Sequence, residues 1–141
     1  MKWIAMIPAL LLASAAVPAV GTDLPVDLQT AQGVQYYNGG VGSGERSQMP
    51  QVFPLKIVLA TDRGLYLNDA EVSILDTSGK EVLRVQADNG PWLVADVPPG
   101  TYTVKATLEG HTVSTGALRV GKGARRVAIL SWRTADVDMG L

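Results

Sequence analysis

From Val52 to Trp132 the chain is organised on a period of two. Phe53, Leu55, Ile57 and Leu59 alternate with Pro54, Lys56, Val58 and Ala60. Tyr102, Val104, Ala106 and Leu108 alternate in the same way with Thr101, Thr103, Lys105 and Thr107. Successive side chains of a strand point to opposite faces, so this pattern marks strands with one buried face. Turn signals ("TDRG", "DTSGK", "DNGP", "LEGH", "GKG") interrupt the alternation at roughly 8- to 12-residue intervals, the spacing of an all-β sandwich. The spacing predicts strands around Phe53–Ala60, Val72–Ile74, Val82–Ala87, Trp92–Val97, Thr101–Leu108, Val113–Val120 and Arg126–Trp132. The expected fold is therefore an all-β, antiparallel β-sandwich of about seven strands. Gly79 supplies a positive φ in the first hairpin turn. Pro98-Pro99-Gly100-Thr101 is read as a type II turn with Gly100 at the position needing φ > 0. Trp92 and Tyr102 are read as core anchors.

The segment before this region differs in kind. "MKWIAMIPALLLASAAVPAVGTD" has a basic Lys2, an apolar run from Trp3 to Leu12, and small residues that end at Ala19-Val20-Gly21. That is the layout of a secretory signal peptide, with cleavage expected near Gly21. The rival reading is an uncut anchor, but the run is short for a span of about 20 residues and is broken by Pro8 and Pro18. Four segments follow: a signal at 1–21, a Gly-rich flexible arm at 22–51, the β domain at 52–133 and a frayed acidic tail at 134–141. A periplasmic or secreted location is expected, with no stable membrane span after cleavage.

Charge and composition narrow the function. Lys and Arg total 12 against 13 Asp and Glu, a net charge of −1. No basic stripe suited to a phosphate backbone is present, so nucleic acid is not an expected partner. Arg125-Arg126 is read as a solvated strand end. The chain has no cysteine, which removes disulfides, Cys-based zinc sites and thiol nucleophiles. The domain must then rest on its apolar core alone.

Few residues have the pattern of a catalytic or metal site. His111 is the sole histidine and follows the Glu109-Gly110 turn signal, where an exposed residue is expected. No serine lies in Gly-x-Ser-x-Gly, and a triad through His111 has no supporting motif. Asp62, Asp69, Asp76 and Asp88 sit at strand ends without the spacing of a calcium loop, and Asx-type turns explain them. No cofactor or metal is expected. The strongest candidate is the arm segment "YYNGGVGSGER". Tyr36 and Tyr37 are candidate aromatic anchors for a partner, with Gly39, Gly40, Gly42 and Glu45 on an adaptable backbone. The plain alternative for this segment is a linker or an extra edge strand.

The run "DAEVSILDTSGKEVLRVQADNGPWLVADVPPGTYTVKATLEGHT" resembles a carboxypeptidase regulatory-like domain, which has a transthyretin-like (prealbumin-like) sandwich. The resemblance spans residues 53–132, with Asp96-Val97 where a Leu is common before the prolines. Small exported proteobacterial proteins of this type carry a similar Gly-Gly-x-Gly-x-x-Glu segment, here Gly39, Gly40, Gly42 and Glu45. The resemblance implies a fold more than an activity. The His-x-x-Glu zinc motif of the peptidases that carry such domains is missing. So are the several histidines and the C-terminal Tyr-Arg-Gly-Ser of the transthyretin-like hydroxyisourate hydrolases. Lys56 and Lys105, the lysines open to an adhesin-type isopeptide, fall on outward positions.

The expected function is a non-catalytic binding module of the bacterial envelope. It would engage a protein or a glycan through loops or an edge strand, with homodimerisation by edge pairing as one outcome. The alternatives are a hydrolase with an atypical site around His111 and a purely structural accessory subunit.

Overall fold

A computed structural model describes residues 28–41 and 53–137 of the chain. Among the described residues ten strands occur in chain order: β1 (Gln29–Ala31), β2 (Val34–Gly39), β3 (Leu55–Thr61), β4 (Ala70–Leu75), β5 (Glu81–Ala87), β6 (Trp92–Ala95), β7 (Gly100–Leu108), β8 (His111–Ser114), β9 (Leu118–Val120) and β10 (Arg126–Trp132). The first sheet has the order β1-β2-β6-β3-β10. The second has the order β5-β4-β7-β8, and β9 pairs with β7 as well. The inner faces meet in a single core that includes Leu55, Ile57 and Leu59 of β3, Leu83 of β5, Val104 of β7 and Leu130 of β10. Burial of each such side chain contributes about 1.5–3 kcal/mol.

Three features of the strands depart from the sequence reading. Part of the expected arm is sheet: β1 and β2 pair with each other, and β2 continues onto β6. The sandwich is not wholly antiparallel, because β10 runs parallel to β3 from Arg126↔Leu55 to Trp132↔Thr61. The strand expected over Val113–Val120 breaks at Thr115–Ala117 into β8 and β9. Thr115 causes the break: its amide donates to the Val104 carbonyl and its hydroxyl accepts from the Val104 amide.

The turns follow from their residues. Gly79 has φ +84° in the β4–β5 hairpin, where Asp76 accepts from the Ser78 and Lys80 amides. The Pro-Pro-Gly turn is different from its reading: Gly100 is not in the positive-φ region and begins β7. The expected frayed tail is tied down over its first residues. Thr134–Asp136 form a 3-10 turn, Thr134 donates its amide and hydroxyl to Asp62, and Val137 is buried. Residues 138–141 lie outside the described part.

Candidate functional site

The predicted arm residues divide between sheet and undescribed chain. Tyr36 is half-buried against the core, and its hydroxyl donates to Gln29 Oε1 at 2.7 Å. Tyr37 is 5% exposed and packs with Phe53 and Val94 on the outer face of the first sheet. The pair is therefore built into β2 and does not stand on an adaptable arm. Gly40 and Gly90 serve close packing. A Cβ on Gly40 would meet the Trp92 side chain at 2.8 Å, and one on Gly90 would meet the Gly39 carbonyl oxygen at 2.1 Å. Gly42 and Glu45 lie outside the described residues, so most of the proposed recognition segment is either interior or undescribed.

Asn38, which the sequence reading passed over, organises this region. Its side chain is buried and donates to the Gly90 and Trp92 carbonyls, both at 2.9 Å. Its Oδ1 accepts from the Asn89 amide at 2.9 Å. A buried amide with these partners meets its hydrogen-bonding needs and fixes the β5–β6 loop against β2.

His111 is exposed at the start of β8, and its carbonyl accepts from Trp132 Nε1 at 2.9 Å. The Ser73, Ser78 and Ser114 hydroxyls donate to Glu81, Asp76 and the Thr115 carbonyl. These hydroxyls donate elsewhere than to the His111 imidazole. No group of His, Asp and Glu suited to hold a metal occurs among the described residues.

A cleft of about 610 Å³ opens between the β1–β2 turn, the β4–β5 hairpin and the segment before β7. Asp76, Glu81 and Tyr102 line it. Their polar atoms are engaged locally. Asp76 accepts from Ser78, which first among its contacts holds its carboxyl below the usual range. Glu81 accepts from Ser73 and Arg84. Tyr102 donates to the Pro98 carbonyl at 2.6 Å, and burial, then the nearby Asp76 charge, raises its phenol.

The outer face and edge of the first sheet offer more. Across this face two rows run from β2 to β10: Tyr37, Val94, Lys56 and Val127, then Gly39, Trp92, Val58 and Ile129. Trp92 is half-buried here and is not the core anchor it was read as. The Lys56 ammonium lies 3.5 Å from its ring centroid, and Tyr66 meets it edge-on at 6.4 Å. The row ends on β10 are open: Val127 is 49% and Ile129 66% exposed.

β10 is an edge strand whose sole partner is β3 among the described residues. The Arg126 amide donates to the Pro54 carbonyl, and the Asp62 amide donates to the Trp132 carbonyl. Bonding to β3 thus falls on the even positions, and the two-residue period carries it through Ala128 and Leu130. The amides and carbonyls of Val127, Ile129 and Ser131 point away from the sheet. Two of the other edges are shorter, and on the third one outward amide is engaged. β1 has three residues, β8 has four, and on β5 the Arg84 amide donates to Gln32 Oε1 at 2.8 Å.

No protein-family model and no curated protein matches this chain. Nine chains of known structure match it. One, the Bacillus anthracis TIE protein, aligns over 56% of this chain at 21% identity with a TM-score of 0.42. This chain spans 16% of the length of that one. No helix among the described residues is long and apolar enough to cross a membrane, which does not bear on β-barrels.

Proposed function

We propose that the protein is an exported, non-catalytic interaction module of the bacterial envelope, which takes an extended strand of a partner protein along β10. The observation that carries this reading is the edge itself: three outward backbone positions, two of them with exposed β-branched side chains. Soluble proteins blunt such edges with charge, proline or a covering segment, and an unblunted one is a template for strand addition. Export rests on the N-terminal sequence. The carboxypeptidase regulatory-like family is carried as part of the proposal, on the resemblance of residues 53–132 and the two-sheet fold.

The readings that compete have weaker support. A glycan would use the end cleft, where the polar atoms already have partners. A hydrolase at His111 would need an oriented acid or nucleophile beside the imidazole. A structural accessory role is a special case of the edge reading, with a permanent partner.

The test is crosslinked capture from envelope extract with wild-type protein and Ile129→Pro. Proline at an outward position removes a donor from the free edge and leaves the β3 ladder intact. The expected result is a partner held by wild type through β10 and lost in the variant. A partner captured equally by both would refute edge recognition.

A further inference from the structure

The chain has three asparagines, in the pairs Asn38-Gly39, Asn68-Asp69 and Asn89-Gly90. The backbone nitrogen that follows an asparagine can attack the side-chain carbonyl carbon and close a five-membered ring. Glycine in the following position favours this reaction, because it has no Cβ to obstruct the ring and its backbone is freest to turn. By sequence Asn38 and Asn89 are therefore equivalent. The fold separates them.

The Asn38 carboxamide is 5% exposed and fully committed. It donates to the Gly90 and Trp92 carbonyls and accepts from the Asn89 amide. Turning onto the Gly39 nitrogen would cost these bonds in a site without water to replace them. At Asn68 the side chain is exposed, but the following nitrogen is engaged: the Asp69 amide donates to the Ala87 carbonyl at 2.7 Å. Asn89 differs on both counts. Its side chain is exposed and enters no hydrogen bond among the described residues, and the Gly90 amide has no acceptor among them. Gly90 is buried, where a backbone amide without an acceptor is rare. Asn38 meanwhile grips the dipeptide on both sides, by the Asn89 amide and the Gly90 carbonyl. The nitrogen is held still with its proton unclaimed, and the Asn89 carboxamide is free to rotate onto it.

We propose that Asn89-Gly90 is a self-modification site, at which the folded chain converts Asn89 to aspartate and isoaspartate with water as co-reactant. Base removes the Gly90 amide proton, and the nitrogen forms a bond to Asn89 Cγ. The Cγ–Nδ2 bond breaks, and the departing nitrogen takes up a proton and leaves as ammonia. Water then opens the cyclic imide at one of its two carbonyl carbons. Breaking the new bond to Cγ gives aspartate with the main chain unchanged. Breaking the original peptide bond gives isoaspartate, whose main chain runs through Cβ and Cγ and is one carbon longer.

The two products differ in what Asn38 can hold. Aspartate keeps both gripped groups in place and adds a charge beside Asp88. Isoaspartate lengthens the path from the residue 89 amide to the Gly90 carbonyl, so one carboxamide no longer reaches both. The β5–β6 loop then loosens from β2, and the change is irreversible without a further enzyme.

The experiment incubates the purified full chain at mildly alkaline pH, where more of the nitrogen is deprotonated. Peptides covering the three asparagines are followed by mass spectrometry, with aspartate and isoaspartate resolved by fragmentation. Asn89 is expected to convert at least about tenfold faster than Asn38, whose reaction waits on local opening. Asn68 should also lag behind it. In urea the two Asn-Gly pairs should converge, which assigns their difference to the fold. Asn89→Gln, which would need a larger ring, should stop conversion at that position and leave the other two unchanged. The isoaspartate fraction should unfold at lower temperature than fresh protein, while Asn89→Asp unfolds close to wild type.

Equal conversion of Asn38 and Asn89 in the folded protein, or conversion of Asn89 in urea alone, would overturn the site. An isoaspartate fraction as stable as fresh protein would overturn its action through Asn38.

Discussion

The indole of Trp132 donates to the His111 carbonyl at 2.9 Å, and this bond joins the two sheets at the side where β10 is open. Trp132 is 2% exposed and is the largest fully buried side chain among the described residues. It holds the C-terminal end of β10 while the middle of the strand stays accessible. Trp132→Phe keeps most of the ring's packing and leaves the His111 carbonyl without its indole donor, so a loss of about 1–2 kcal/mol is expected. His111→Ala keeps the carbonyl and should change stability by about 0.5 kcal/mol or less. Urea unfolding of the two variants checks both values.

Gly90→Ala should be among the most damaging single changes in the protein. Gly90 has φ +151°, and an added Cβ would lie 2.1 Å from the Gly39 carbonyl oxygen. The obstacle is backbone, so the β5–β6 loop would have to leave β2 and give up the Asn38 bonds. A loss of about 3 kcal/mol or more is expected, the scale of a broken buried network. Thermal unfolding measures it, with Gly33→Ala as the control for φ strain alone. Gly33 has φ +81° and open space around its missing Cβ.

Acid should loosen the end of the described chain before the rest. The hydroxyl of Thr134, then its amide, holds the exposed Asp62 carboxyl below 3.8. A carboxylate lowered by folding adds stability that is present above its unfolded pKa and is lost as pH falls through the lower, folded value. The window therefore lies below about pH 4. Asp62→Asn should be less stable than wild type at neutral pH and equal to it at the acid end of that window. Proteolysis of the C-terminal segment as a function of pH reads the difference.

Where the sequence pattern worked, the reason is local. β3 and β7 show one apolar residue in two because each packs one face on the core, and Gly79 sits where its hairpin turn needs φ > 0. Where it failed, the determinants are distant in the chain. β2 shows no period because Tyr36 and Tyr37 are covered on opposite faces, and Gly39-Gly40 is shaped by Trp92 and Gly90. Asn38 looks like any loop asparagine until residues 89–92 are brought against it. Trp92 has the composition of a core anchor, yet its register beside Val58 puts it on the outer face with Lys56. The parallel pairing of β10 with β3 cannot be read from either strand alone. That pairing places Val127 and Ile129 on an open edge.

Amide hydrogen exchange along β10, resolved residue by residue by NMR on the protein alone, tests the central claim most directly. The account predicts an alternating pattern: slow exchange at Ala128 and Leu130, bonded to β3, and fast exchange at Val127, Ile129 and Ser131, which face outward. Uniform protection from Val127 to Ser131 would contradict it. The edge would then already be paired, and β10 would not be free to take a partner strand.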